Sequence, residues 1–473
     1  FHVFTLIAAV IICYSNVLDG PFLWDDEALI TTNEKIRDIS NIPHFFGFAA
    51  WPTDDSASFH RPVQMITYAF DYLIWGLTPF GFHVTNVLFH ICNSLLVYCF
   101  VLLFTSHPFS AWIATLLFSV HPLHTEAVSY ISGRADLLAA FFLLLFFVSY
   151  VRLLRSELKP CGYWLLLPFF FLCYGCALGS KEIAAVAVFI VPLCNYYFLG
   201  LKNIVRYTSL FIGIVLVTVL YWGMRFSAAP EVLDYNIYSF SFPERFLLAI
   251  KVFAKYCVMI LVPLDLHMEY AVFPPENIFS SQFIRSCLIA VLCVFIFYRM
   301  LRQRKSSMPG VAWFLIFLFP VLNFIPLNAT FSEHWLYLPL IGMTLAAGGC
   351  VKTWCASRSR WLFLSVWGLL MIFFITGTII RNIDWTDPIR FYNNILTYNP
   401  NNIKVHYNLA NEYLRKDEAE EAARHYKAVI TIITQKRLIT TGTGAHRLLH
   451  RLLTKTYNNL GNSYRLQKKY QKA

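Results

Sequence analysis

The chain has 473 residues, 58% of them hydrophobic and only 14% charged, with a formal net charge of +11. Soluble domains average about 25% charged residues, so a soluble globular protein is excluded and a polytopic membrane protein is implied. The excess positive charge does not point to nucleic acid, because the basic residues gather in short loops between apolar runs, the pattern that orients membrane segments.

Taken in chain order, apolar runs at 2–18, 83–104, 110–124, 135–152, 163–179, 183–200, 205–223, 283–301, 311–327, 335–350 and 361–380 read as about eleven transmembrane helices. Several are close to the lower limit of about 17 residues for a span, which implies tilt or a thin surrounding bilayer. A further run, 246–262, carries Lys251 and Lys255 on one face and reads as an amphipathic helix at the surface. Read as a twelfth span, it would invert everything after it. Most of the 12 cysteines lie inside apolar runs with no metal or disulfide spacing, as small buried apolar residues.

Charge bias favours eleven. With the N-terminus in the cytoplasm, Arg152, Arg155, Lys159, Lys202, Arg206, Arg299, Arg302, Arg304, Lys305, Lys352, Arg358 and Arg360 all fall inside, against the single acid Glu157. The remaining acids of the membrane region then face outward, and so does everything after Arg381.

That C-terminal part, 381–473, repeats a template. Leu409, Ala410, Tyr413 and Ala422 recur as Leu460, Gly461, Tyr464 and Ala473, at an offset of 51. This is the tetratricopeptide pattern of paired helices, whose usual period is about 34, so roughly 17 residues are inserted. "FYNNILTYNPNN" reads as the end of a degenerate earlier repeat. Phe1 and Ala473 both fall in mid-pattern, so the sequence is expected to be a piece of a longer chain.

Each expected outer turn carries acid and base together. "FLWDDEALI" opens a long loop, 19–82, with Asp25 and Asp26 just past the first span and His60 and Arg61 in its middle. The next turns carry His121, His124, Glu126, Arg134 and Asp136, then Lys181 and Glu182, then His267 and Glu269, then Glu333, His334 and Tyr337, followed by Arg381. Ionisable residues at the bilayer rim are costly unless they line a cavity. Arginine and lysine there suit a phosphate. A carboxylate suits a base that takes a proton from a hydroxyl, or a hard metal. A lipid-linked phosphosugar would present its phosphate at this depth.

The stretches "FLWDDEALI", "FHRPV", "FHVTNVLFH", "HPLHTEAVSYISGRADLLA", "SKEIA", "PLNATFSEHWLYLPLIGM" and "RNIDWTDPIRFYNNILTYNPNN" cover nearly the whole chain in order. Together they resemble the GT-C superfamily of membrane glycosyltransferases that carry tetratricopeptide repeats, the transmembrane O-mannosyltransferase-like family. "LDLHMEYAVFPP" is similar to its bacterial branch. The resemblance implies an all-α chain: a GT-C-like transmembrane domain over 1–380, then repeats over 381–473. It implies transfer of a mannose-like sugar from a polyprenyl phosphate to a hydroxyl, with an acidic catalytic motif in the first outer loop, matching Asp25 and Asp26. Asp26 is the expected base. His60, Arg61, Glu126, Arg134, Lys181, Glu182 and His334 are the expected donor or substrate contacts. The expected partners are the lipid-linked sugar, membrane lipid and an acceptor protein or peptide held by the repeats, with no nucleic acid. The residues specify no cofactor, and the carboxylates leave a divalent metal open. The expected setting is a bacterial plasma membrane with the repeats outside, or an endoplasmic reticulum membrane with the repeats in the lumen.

Simpler readings compete. Asp25 or Asp26 could cap a helix over "EALITTNEKI". Glu126, Arg134 and Asp136, with Lys181 and Glu182, could form an ion-pair network that only joins helices. His121 and His124 would need a third ligand, such as Glu126, to hold a metal. A lipid transporter would carry charges near mid-span and show internal repeats of the membrane part, and a repeat scaffold would need no acids after the first span.

Overall fold

Inside a bilayer the backbone has no water to bond, so apolar segments must satisfy it internally, and helices do so within one segment. The computed structural model describes residues 1–47, 60–154, 160–200, 207–228, 240–303, 307–327, 329–355, 360–437 and 443–467, and among them every regular element is helical. The expected all-helical, many-spanning architecture is borne out.

Among the described residues, eight helices are long and apolar enough to cross a membrane: Pro79–Thr105, Ile131–Leu154, Cys161–Ser180, Glu182–Leu199, Thr208–Ser227, Ser281–Arg302, His334–Val351 and Trp361–Ile383. The other three expected spans are present as shorter apolar helices, His2–Val17, Pro108–Ser119 and Met308–Leu322. Two end early for local reasons. Pro122 starts a separate turn, Pro122–His124, after the helix closes at Ser119. Asn323 takes the left-handed conformation (φ 68°) directly after Leu322. Helix Phe242–Leu261, with Lys251 and Lys255, is not among those apolar enough to span. It opens on a capping box between Ser241 and Glu244. Parts of four of the loops used for the charge-bias argument, 155–159, 201–206, 304–306 and 356–359, lie outside the described residues, as does 48–59 of the first outer loop.

The chain forms two compact units. The first runs from Phe1 to Asn382 apart from residues 267–271. Its centre is made by the apolar windows of Ile131–Leu154 and His334–Val351, each 72% buried, while that of Ser281–Arg302 is 6% buried and presents its side chains outward. Close approach is set by glycine. A Cβ on Gly310 would lie 2.4 Å from Ala346 N, and one on Gly342 would lie 2.6 Å from Gly310 O, so these two helices meet backbone to backbone.

The second unit holds the stretch from Ile383 onward together with His267–Ala271. Helices Pro388–Tyr398, Ile403–Arg415, Ala419–Arg437 and Thr443–Leu466 succeed one another. Asp387 and Asn402 cap the first two through Arg390 N and Val405 N. Ala410, Ala422, Ala423, Tyr426 and Leu460 form one core, with Tyr413 and Tyr464 packed against it. The template positions Tyr413 and Tyr464 thus serve the same core. His267 joins this unit by stacking on Tyr398, ring centroids 4.1 Å apart.

Candidate active site

The first outer loop begins with a tight turn in which Asp26 N donates to Leu23 O at 2.9 Å. Trp24, inside the turn, has φ 55°, a conformation that is strained for a bulky residue and collects at functional sites. The turn sends two adjacent carboxylates into opposite environments. Asp26 is buried at 1% exposure. Its Oδ2 accepts from Leu23 N at 2.9 Å, and its Oδ1 accepts from Ser132 N at 2.9 Å and from the Ser132 hydroxyl. Burial pushes its pKa up to about 7, against the opposing pull of those hydrogen bonds. Asp25 is exposed, and its backbone N–H donates to Tyr130 Oη at 3.0 Å. The helix-cap reading of Asp26 is overturned: the carboxylate turns back to Leu23 and across to Ser132, and makes no cap bond to Glu27–Thr31.

Ser132 and Tyr130 belong to the turn between His121 and Asp136, which is fastened from several sides. Asn86 donates to the carbonyls of Val128, Tyr130 and Ile131 at 3.2–3.3 Å. Tyr68 Oη donates to Ile131 O at 3.1 Å and Gln64 Nε2 to Ser132 O at 3.0 Å. Ser129 Oγ donates to Asn382 Oδ1 at 2.7 Å. Gly133 is required by space, since a Cβ would stand 2.6 Å from Glu126 O. The acidic turn is therefore held by a rigid platform.

The charged residues expected to share a network fall into separate pairs. Arg134 is fully buried, bound to Asp71 Oδ2 at 2.5 Å, Asn86 Oδ1 at 2.7 Å and Phe82 O at 2.9 Å, and lies over the Tyr68 ring. Lys181 Nζ meets both oxygens of Asp136, at 2.8 and 2.7 Å. Glu182 takes Arg61 at 3.2 Å and Arg225 at 3.8 Å, two guanidinium groups on one carboxylate. His60 is buried beside them, and burial, with Arg225, lowers its pKa.

Glu126 is also buried. Its Oε1 accepts from His334 Nδ1 at 2.7 Å and Ser332 Oγ at 2.9 Å, and its Oε2 accepts from His334 N at 2.9 Å. Burial pushes this carboxyl up, but the His334 ring and these hydrogen bonds outweigh it and hold the group below the ordinary carboxylate value. His121 does not join a metal set: its ring bonds Ile260 O and Leu123 N. Among the described residues no three His, Cys, Asp or Glu side chains are placed to hold a metal ion.

Asp71, Arg225, Tyr130 and Ser132 were not singled out in the sequence. Asp71 could have been, as a lone acid in an otherwise apolar helix, Pro62–Trp75. Arg225 could have been, as a cation in the last turn of a span. Nothing in the sequence distinguishes Ser132.

No protein-family model matches the chain. Among curated proteins, it is 26% identical over 89% of its length to Protein O-mannosyl-transferase TMTC4 of Homo sapiens. It is 24% identical over 96% of its length to Protein O-mannosyl-transferase Tmtc3 of Drosophila melanogaster. It covers 64% and 56% of those two proteins, well short of their full length. Among solved structures, that of ArnT from Cupriavidus metallidurans bound to undecaprenyl phosphate is 10% identical, with a TM-score of 0.42, over 97% of this chain and 78% of that one. Over 89% and 96% of its length the chain is thus similar to animal members of the O-mannosyl-transferase family that its motifs resemble, whereas the expectation drawn from "LDLHMEYAVFPP" is the bacterial branch.

Proposed function

We propose that the chain is a glycosyltransferase that moves a mannose-like sugar from a polyprenyl phosphate to a protein hydroxyl, on the extracytoplasmic or lumenal side. The supporting observation is the split pair: an exposed Asp25 beside a buried, fully engaged Asp26. A base must reach the proton it removes, so geometry precedes pKa. Asp25 meets that requirement, and Asp26, despite its raised pKa, serves as the anchor that aims it. The base role therefore moves one residue from the sequence expectation.

Arg61 and Arg225 both meet the carboxylate of Glu182, and guanidinium groups gathered in this way suit a phosphate. His60 and Lys181 belong to the same neighbourhood in this reading, and Arg134 is structural. The repeats hold the acceptor. In the reaction the acceptor oxygen bonds to the anomeric carbon and its proton passes to Asp25. The sugar–phosphate C–O bond breaks, and its electron pair goes to the phosphate.

The test is mannose transfer from a polyprenyl-phosphate donor to acceptor peptides by the chain in nanodiscs. Asp25→Asn is expected to lower the rate by about 10²–10⁴-fold with insertion intact. Wild-type-like transfer by Asp25→Asn would remove the assignment.

A further inference from the structure

Glu126 and Tyr130 stand four residues apart on one platform. Tyr130 holds the backbone of Asp25, and Glu126 holds His334. The second of these contacts is built like an oriented acid–base dyad. The carboxylate takes both the ring Nδ1 and the backbone N–H of the same residue, so the ring cannot turn without breaking a buried bond. A carboxylate facing Nδ1 fixes a proton there, which leaves Nε2 as the working atom. Nε2 has no hydrogen-bond partner among the described residues, and it is not among the buried polar atoms. The His334 side chain is 24% exposed while that of Glu126 is 1% exposed. His90, buried between helices, has both nitrogens engaged, with Tyr337 Oη and Ser119 O, whereas the half-buried His334 ring is held on its Nδ1 side.

Resting on the transferase reading above, we infer that His334, aimed by Glu126, receives the phosphate that leaves the sugar. A sugar polyprenyl phosphate is a diester with one negative charge. When the C–O bond breaks, the electron pair stays on the phosphate oxygen and the product carries two charges, while the acceptor proton is on Asp25. Carrying a proton on each nitrogen, the His334 ring would donate Nε2–H to that new charge while Nδ1–H stays on Glu126. A donor aimed at charge that develops only during reaction stabilises the transition state more than the ground state. His334 is thereby a catalytic residue, and Glu126 is a positioning residue.

The site should prefer a doubly charged phosphate to a singly charged one. Binding of polyprenyl phosphate and of its methyl diester is measured on the full chain in nanodiscs, with no sugar or acceptor present. In the wild type the monoester is expected to bind at least tenfold more tightly. In His334→Gln that preference should fall to about one, with diester affinity unchanged, and in Glu126→Gln it should fall part of the way. In turnover, His334→Gln is expected to lower kcat by about 10²-fold, the usual cost of one oxyanion donor, and to leave KM nearly as it was. Should His334→Gln fail to insert, His334→Asn replaces it. A preference for the monoester that persists in the His334 variant overturns the inference while leaving the transferase reading in place. Wild-type chain that binds neither lipid and transfers no sugar overturns both.

Discussion

The hydroxyl of Tyr130 accepts a hydrogen bond from the backbone N–H of Asp25 at 3.0 Å, across 105 residues of sequence. This bond fixes the backbone of the exposed carboxylate without using the carboxylate itself. Tyr130→Phe keeps the buried ring and removes the acceptor. Transfer is expected to fall roughly tenfold, almost all of it in kcat, because a slightly misplaced base loses rate steeply. Kinetics of the inserted variant check this, and a change confined to KM would contradict it.

Asp26→Asn tests the anchor. An amide can replace one carboxylate oxygen, but its N–H₂ would then face either Leu23 N–H or Ser132 N–H, and each is a donor. A buried donor left without an acceptor costs about 1–3 kcal/mol. The expected outcome is a less stable first loop with activity reduced but measurable, whereas Asp25→Asn keeps stability and loses activity. Proteolysis of the 19–47 stretch alongside transfer rates separates the two.

Lys181 and Asp136 form a buried pair with both side chains under 9% exposed. Removing one charge strands the other, at a cost of about 3–5 kcal/mol, while replacing both with apolar residues is often neutral. Lys181→Met should therefore impair folding, and Lys181→Met with Asp136→Leu should restore it. Thermal unfolding in detergent reads both. If the double variant also recovers transfer, Lys181 has no contact with the donor.

His406 and His425 share a hydrogen bond between their Nδ1 atoms at 2.9 Å, and His406 Nε2 donates to Pro400 O at 2.9 Å. Burial, with His406 and Arg424 adding to it, pushes His425 down to about 4. Unfolded histidine titrates near 6.5, so between these values the unfolded segment binds more protons and stability falls as pH falls. The protection factors of helix Ile403–Arg415, taken against the intrinsic exchange rate at each pH, should be lower at pH 5 than at pH 7.5, and His425→Phe should flatten that dependence. Equal protection at both pH values in the wild type would refute it.

Much of this architecture is legible in the sequence because hydrophobic runs and turn residues are local signals. Even the three short helices were visible as apolar runs, and only their ends, at Ser119 and Leu322, needed the structure. The paired acids and bases were visible too, but their pairing was not. Lys181 and Glu182 are neighbours in sequence yet bond to Asp136 and to Arg61. A one-residue step decides which of Asp25 and Asp26 faces inward, and that depends on the left-handed Trp24 and on Ser132, 106 residues away. No local pattern encodes either.

The glycine seam between Met308–Leu318 and Tyr337–Cys355 has a mechanical consequence. With no side chain between the two backbones, neither helix can slip along or turn against the other without driving a side chain into the seam, and drawing apart would forfeit the close contact. The 308–322 segment, too short to match a hydrocarbon layer that takes about 17 residues or more to cross, therefore takes its depth from its neighbour and not from the lipid. A thicker or thinner bilayer would tilt the outward-facing helices such as Ser281–Arg302, while this pair would ride through unchanged, carrying His334 at its end.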